Sequence, residues 1–143
     1  MTIAKPCGPL YFSSRTLTGH DSDIKAFAAG FATGLAEKVY LGACFGAMLR
    51  PAREDYDWLL ATVKVVARVY DLTVNEYRYP ENGPRAGSRE IWVLNDNPAA
   101  GYTYRQMIKM TVNTPGWHAA RGQLCGIPSD QIDYAFHERQ AAT

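Results

Sequence analysis

The clearest periodicity in the chain runs through its middle. Tyr56, Leu59, Leu60, Val63, Val66, Ala67 and Tyr70 recur at intervals of three and four, while Asp55, Asp57, Lys64 and Arg68 avoid that face. This spacing predicts an amphipathic helix over 54–70, entered by acidic residues and left by a basic one, as the helix dipole favours. Upstream, Ile24, Phe27, Ala28, Phe31 and Leu35 trace a second helical stripe. It follows the turn Gly19-His20-Asp21, where Asp21 or Ser22 can cap the first free amides. Ala26, Gly30 and Gly34 form a line of small residues on the same helix. Each glycine costs roughly 1 kcal/mol in helix propensity, and close packing against a neighbouring helix accounts for the line. The run Val39–Leu49 (VYLGACFGAML) is apolar on all sides, a pattern shared by buried helices and buried strands. The spacing of Gly42 and Gly46 and the stop at Arg50-Pro51 favour a helix.

Strand signals are fewer. Residues 9–14 read as a short strand, and 72–79 and 89–95 as two strands rich in β-branched and aromatic residues. Between the latter two lies PENGPRAGS, a stretch of turn formers that predicts a hairpin. Asp96-Asn97-Pro98 ends the second strand. Tyr104, Met107, Ile108 and Thr111 then share a helical face, and Thr114-Pro115 marks a helix start that Gly126 ends in the left-handed conformation. Ile127-Pro128-Ser129-Asp130 opens a last helix carrying Ile132, Tyr134 and Phe136. The whole chain, 1–143, reads as one α+β domain. A small antiparallel sheet, a hairpin or three strands, is packed by four to six helices.

Composition narrows the functional classes. Hydrophobic residues make up 47% of the 143, a globular balance that excludes disordered and fibrous classes. The 15 Lys+Arg against 14 Asp+Glu leave a net charge of +1. That balance argues against a dedicated binder of duplex nucleic acid, which needs surplus cations to displace counterions. Cys7, Cys44 and Cys125 are scattered and form no CxxC pair, so free thiols and a reducing compartment are expected. The N-terminus lacks the pattern of a signal peptide, and no apolar run is long enough to span a bilayer. A cytoplasmic protein without membrane contact is therefore expected.

Candidate chemistry is distributed rather than concentrated in a motif. At Gly19-His20-Asp21 a helix N-terminus offers free amides to an anion, with His20 and Arg15 nearby in sequence. The same residues also suit a plain helix cap. His118, Arg121 and Cys125 lie three and four apart, so imidazole, guanidinium and thiol share a helical face and could activate a nucleophile. The stop at Gly126 works against this, because a helix C-terminus raises a thiol's pKa. His20, His118 and His137 lack any metal-ligand spacing, so neither metal nor cofactor is expected.

Arginine and tyrosine carry the stronger signal. Arg78, Arg85, Arg89 and Arg105 accompany Tyr77, Tyr79, Trp92, Tyr102 and Tyr104, a combination suited to phosphates and planar ligands through bidentate hydrogen bonds and stacking. The leading expectation is a non-catalytic protein that binds a phosphorylated or nucleotide-like small ligand through Arg15, His20, Arg89, Tyr102, Arg105 and Arg121. A second is a protein-interaction module or inhibitor that presents the 72–95 hairpin and its Tyr/Trp/Arg surface to a partner. A third is an enzyme using His118 with Cys125, or His20 with Asp21. The small-residue line, the apolar run and the aromatic hairpin together also suggest a homodimer.

Overall fold

The computed structural model describes residues 10–83 and 85–127. In chain order the elements are β1 (Leu10–Phe12), α1 (Asp21–Tyr40), β2 (Gly46–Pro51), α2 (Tyr56–Val69), β3 (Thr73–Arg78), β4 (Arg89–Leu94), α3 (Pro98–Met107) and α4 (Pro115–Leu124). Short 3-10 turns at Ser14–Thr16 and Arg53–Asp55 precede α1 and α2. The strands form one sheet in the order β1-β2-β4-β3. β1 is parallel to β2, and β4 is antiparallel to both β2 and β3. Three strands thus run one way, and β4 returns between β2 and β3 against them.

The domain is α+β, as the pattern predicts, but the sheet is mixed and four-stranded rather than a small antiparallel one. The difference arises in residues 39–49, expected to be a helix. Val39 and Tyr40 finish α1, Gly42 turns the chain with φ +79°, and Gly46 opens β2. β2 is a central strand covered by helices on both faces, so Ala47, Met48 and Leu49 are all buried. A strand buried on both sides loses the polar–apolar alternation that would identify it.

Alternation sorts the side chains between two cores. Ala47, Leu49, Ile91 and Val93 face α1 and α2 together with Leu35, Leu59 and Val63. Met48, Tyr77, Trp92 and Leu94 face α3 and α4, meeting Met107, Trp117 and Leu124. α1 and α2 run in the same direction: the Lys25 ammonium lies 5.7 Å from the Trp58 ring near their starts, and Tyr40 meets Tyr70 at 5.6 Å between ring centroids at their ends.

Several local expectations need correction. His20, rather than Asp21 or Ser22, is the N-cap of α1, and it makes no side-chain capping bond. Ala26, Gly30 and Gly34 lie on the exposed side of α1, and a Cβ added at Gly30 or Gly34 would meet nothing within 4 Å. No neighbouring helix packs on that line among the described residues. Tyr77, Tyr79 and Trp92 are interior, so the hairpin does not present an aromatic surface. Of the three grounds for expecting a homodimer, the aromatic hairpin is absorbed into the core, as is the second half of the apolar run from Cys44 to Leu49, whereas Tyr40 and Leu41 stay exposed. Asn97-Pro98 opens α3, with the Asn97 side chain accepting from the Ala99 amide at 2.9 Å, and Ile108 and Thr111 fall beyond its end.

α4 behaves as its sequence indicates. Thr114 accepts from the Trp117 amide, Pro115 opens the helix, and Gly126 adopts φ +76°. The helix expected to carry Ile132, Tyr134 and Phe136 lies outside the described residues. Cys44 is disulfide-bonded rather than free, and Cys125 is a buried free thiol. Cysteine usage therefore no longer argues for a reducing compartment. No helix among the described residues is long and apolar enough to cross a membrane.

Two substitutions probe this architecture. Leu59 is fully buried where α2 meets the sheet, so Leu59→Ala should cost about 2–5 kcal/mol in chemical denaturation. A Cβ at Gly46 would lie 2.6 Å from Leu94 Cδ2 and 3.0 Å from the Val93 carbonyl oxygen. Gly46→Ala should therefore cost about 1–3 kcal/mol by overpacking. A neutral result would mean that β2 and β4 separate more readily than their close approach implies.

Candidate functional site

On β4, residues 90, 92 and 94 point toward α3 and α4. Trp92 and Leu94 suit that core, but the first of the three positions is a glutamate, and Glu90 is 0% exposed. A carboxylate withdrawn from water needs cations and hydrogen-bond donors, and three other segments and a neighbour on the same strand supply them. Arg121 of α4 makes a bidentate pair, Nη1 to Oε1 at 2.7 Å and Nη2 to Oε2 at 2.8 Å. Arg50 of β2 donates from Nη2 to Oε2 at 2.6 Å. The Tyr79 hydroxyl, just past β3, donates to Oε2 at 2.8 Å and accepts from Arg50 at 3.1 Å. The Trp92 indole donates to Oε1 at 3.2 Å.

The surroundings hold the arginines in place. The Arg121 guanidinium lies 4.3 Å from the Trp117 ring centre and 5.2 Å from that of Trp92, while Trp117 Nε1 donates to the Tyr77 hydroxyl. Burial by itself would raise the Glu90 carboxyl, but hydrogen bonds and charge from Arg121, with those from Arg50 and Tyr79, outweigh it and hold the group below its ordinary value. Burial pushes the Tyr79 hydroxyl up to about 12, with the Arg121 charge working against it and Glu90 adding to it, so the phenol stays neutral.

Charge in this network does not balance. Two guanidiniums meet one carboxylate and one neutral phenol, leaving a surplus of one positive charge. Arg50 carries the accessible part: its side chain is 24% exposed, against 12% for Arg121. Its Nε–H is also buried without a hydrogen-bond partner. An unmet buried donor costs about 1–3 kcal/mol.

The other buried acid offers a contrast. Asp55, at the N-terminus of α2, accepts from the Ser14 amide at 2.8 Å and from Trp58 Nε1 at 3.1 Å. Burial raises its carboxyl, but these bonds and the nearby Arg15 charge outweigh burial and lower it. Its contacts join the β1 end of the chain to α2, a structural role.

The six residues expected to form a ligand site are not brought together. Arg121 enters the Glu90 network. Arg89, one residue earlier on the strand, points to the opposite face and stacks at 3.8 Å over the Tyr56 ring. Arg15 pairs with Glu54 at 2.8 Å near the start of α1, and His20 is exposed at its N-cap. Tyr102 and Arg105 are exposed on α3. Periodicity and composition point to neither Arg50 nor Glu90, and they group Tyr79 only with the hairpin aromatics. Strand parity could have revealed Glu90, since it alternates with Trp92 and Leu94 and so falls on a buried face.

The alternative chemistries gain little geometry. Cys125 is buried, which pushes its thiol up to about 12 against the opposing Arg121 charge, so at neutral pH it is protonated and a poor nucleophile. Asp21 lies 3.2 Å from Lys25 in an exposed pair. Among the described residues no group of three or more His, Cys, Asp or Glu could hold a metal ion. A cavity between α1, α2 and the sheet, lined by Ala32, Leu35 and Val63, is apolar and too small for a ligand. Comparison with protein-family models, curated proteins and solved structures finds no match for the chain.

The Glu90 network makes stability depend on pH with a defined sign. A carboxyl held below its ordinary value of 4.5 stabilises the fold fully above that value, and the contribution fades as pH falls through the lower folded-state value. Glu90→Gln should cost about 3–5 kcal/mol at pH 7, since it leaves two guanidiniums facing a neutral amide. Its stability should also fall less steeply than wild type below pH 4.5. Parallel pH dependences for the two proteins in denaturant titrations would contradict the ion network.

Proposed function

We propose that this chain is a small, non-catalytic binding protein for a phosphorylated or otherwise anionic small molecule, engaged at the Arg50 side of the Glu90 network. The observation that carries this reading is the surplus positive charge at Arg50, combined with its unmet Nε–H. An anionic oxygen beside the exposed part of Arg50 balances the charge. Phosphate and carboxylate oxygens suit a guanidinium because its N–H groups form a planar fork. Glu90, Tyr79 and Arg121 act as positioning residues that hold Arg50 in one geometry. Arg15, His20, Arg89, Tyr102 and Arg105 lie apart from this site and are not assigned to it.

A second reading, a protein-interaction module, is favoured by a different surface. Leu41 and Val69 are 70% and 78% exposed at the ends of α1 and α2, beside the Tyr40–Tyr70 ring contact. Exposed apolar side chains gathered into one patch mark contact surfaces.

Thermal-shift measurements with inorganic phosphate, nucleotides and sugar phosphates separate the two. A ligand that prefers the folded state raises its melting temperature. Arg50→Ala should weaken binding of a stabilising anion by about 1.5–3 kcal/mol, and Arg50→Lys should restore only part of it. Absence of a shift with every anion, together with a stable protein complex lost on Leu41→Asp, would transfer the weight to the second reading.

A further inference from the structure

Among the described residues, β3 leaves one edge of the sheet open. The Tyr79 amide donates to the carbonyl of Ser88 across the hairpin. Continued along the β3–β4 register, that bond turns the backbone groups of Thr73, Asn75 and Tyr77 toward β4. Val74, Glu76 and Arg78 consequently aim their N–H and C=O groups away from the sheet. Such an edge is usually blunted by shortness, by charged side chains (lysine above all), by proline, by a bulge or by a covering segment. β3 has six residues, TVNEYR, with no lysine or proline, and its ladder with β4 is unbroken from Thr73 to Arg78.

Its two charged residues are instead of opposite sign and alternate along the outward-facing set. We propose that a second copy of this chain adds antiparallel to the β3 edge, with Tyr77 opposite Tyr77 of the partner subunit across a twofold axis. The register follows from two constraints. Only Val74, Glu76 and Arg78 offer free backbone groups, so these must oppose one another for hydrogen bonds to form. Setting Glu76 or Arg78 opposite its own copy places like charges side by side, which destabilises a sheet pair. The twofold axis at Tyr77 sets Glu76 against Arg78 of the partner subunit, twice by symmetry. Among the registers that match donors to acceptors, it is the one that opposes unlike charges.

Both side chains are available for that pairing. Glu76 is exposed and uses Oε1 to accept from the Tyr56 hydroxyl at 2.9 Å. Arg78 is exposed, and its 3.6 Å contact with Glu81 joins two side chains that are mostly in solvent. The two sheets become one continuous sheet. Glu76 and Arg78 lie on its α1/α2 face, opposite the Arg50 network, so the pairing is independent of anion binding there.

The test is sedimentation equilibrium of the full chain over a wide concentration range, without added anion, on four proteins: wild type, Glu76→Arg, Arg78→Glu and the double exchange. Wild type should dimerise, each single reversal should raise the dimer dissociation constant about tenfold, and the double exchange should restore it. Circular dichroism verifies folding, and Arg78→Glu carries the comparison if loss of the Tyr56 bond unfolds Glu76→Arg. A wild-type protein monomeric at several hundred micromolar overturns the proposal. So does a dimer that the single reversals leave unchanged, or one that the double exchange does not recover.

Discussion

A carboxylate removed from water at the centre of a sheet constrains every element that touches it. Glu90 reaches Arg50 on β2, Tyr79 beyond β3, Trp92 on its own strand and Arg121 on α4. Desolvating such ions costs several kcal/mol each, and their attraction does little more than offset that cost. The value of the network is therefore positional. With α4 shifted by a turn, Glu90 would lose its bidentate partner and remain a buried charge, so the sheet accepts α4 in one register. Trp117 and Trp92, beside the Arg121 guanidinium, add apolar contact to the same requirement.

The two faces of the sheet differ in kind because of this residue. The α1/α2 side is filled mainly by Ala, Leu, Ile and Val, with Phe12 and Tyr56 among them, and its buried acid, Asp55, has its donors supplied at the edge by Ser14 and Trp58. The α3/α4 side combines aromatic rings with an ion network holding one more cation than anions. A sealed, balanced cluster would be explained by folding alone. The part-exposed Arg50 with its unmet donor is the feature on which the proposed anion binding rests.

Legibility of the site follows from the range of the interactions that make it. Arg121 could be singled out because helical spacing set it between His118 and Cys125. Those neighbours suggested a nucleophile, whereas its partner lies 31 residues away on a strand. Arg50 looks like part of a helix stop, since nothing local in the sequence marks the sheet that buries its strand. Arg89 and Glu90 are adjacent in sequence, yet a strand sends successive side chains to opposite faces. Neighbouring arginines were therefore grouped when the fold divides them.

The sequence by itself determined the local elements. The periodicity of α2, the Thr114-Pro115 start and Gly126 stop of α4, and the turn formers between β3 and β4 act over a few residues, where backbone preference and side-chain spacing suffice. Tertiary structure alone decided that 46–51 is a strand, that it lies between β1 and β4, and that the hairpin aromatics face inward. Each depends on what covers a segment from both sides. An apolar run records that it is buried, but it carries no information about its neighbours. The same holds for Glu90: its charge is written in the sequence, while the cations that let it be buried come from strands and helices brought together only by the fold.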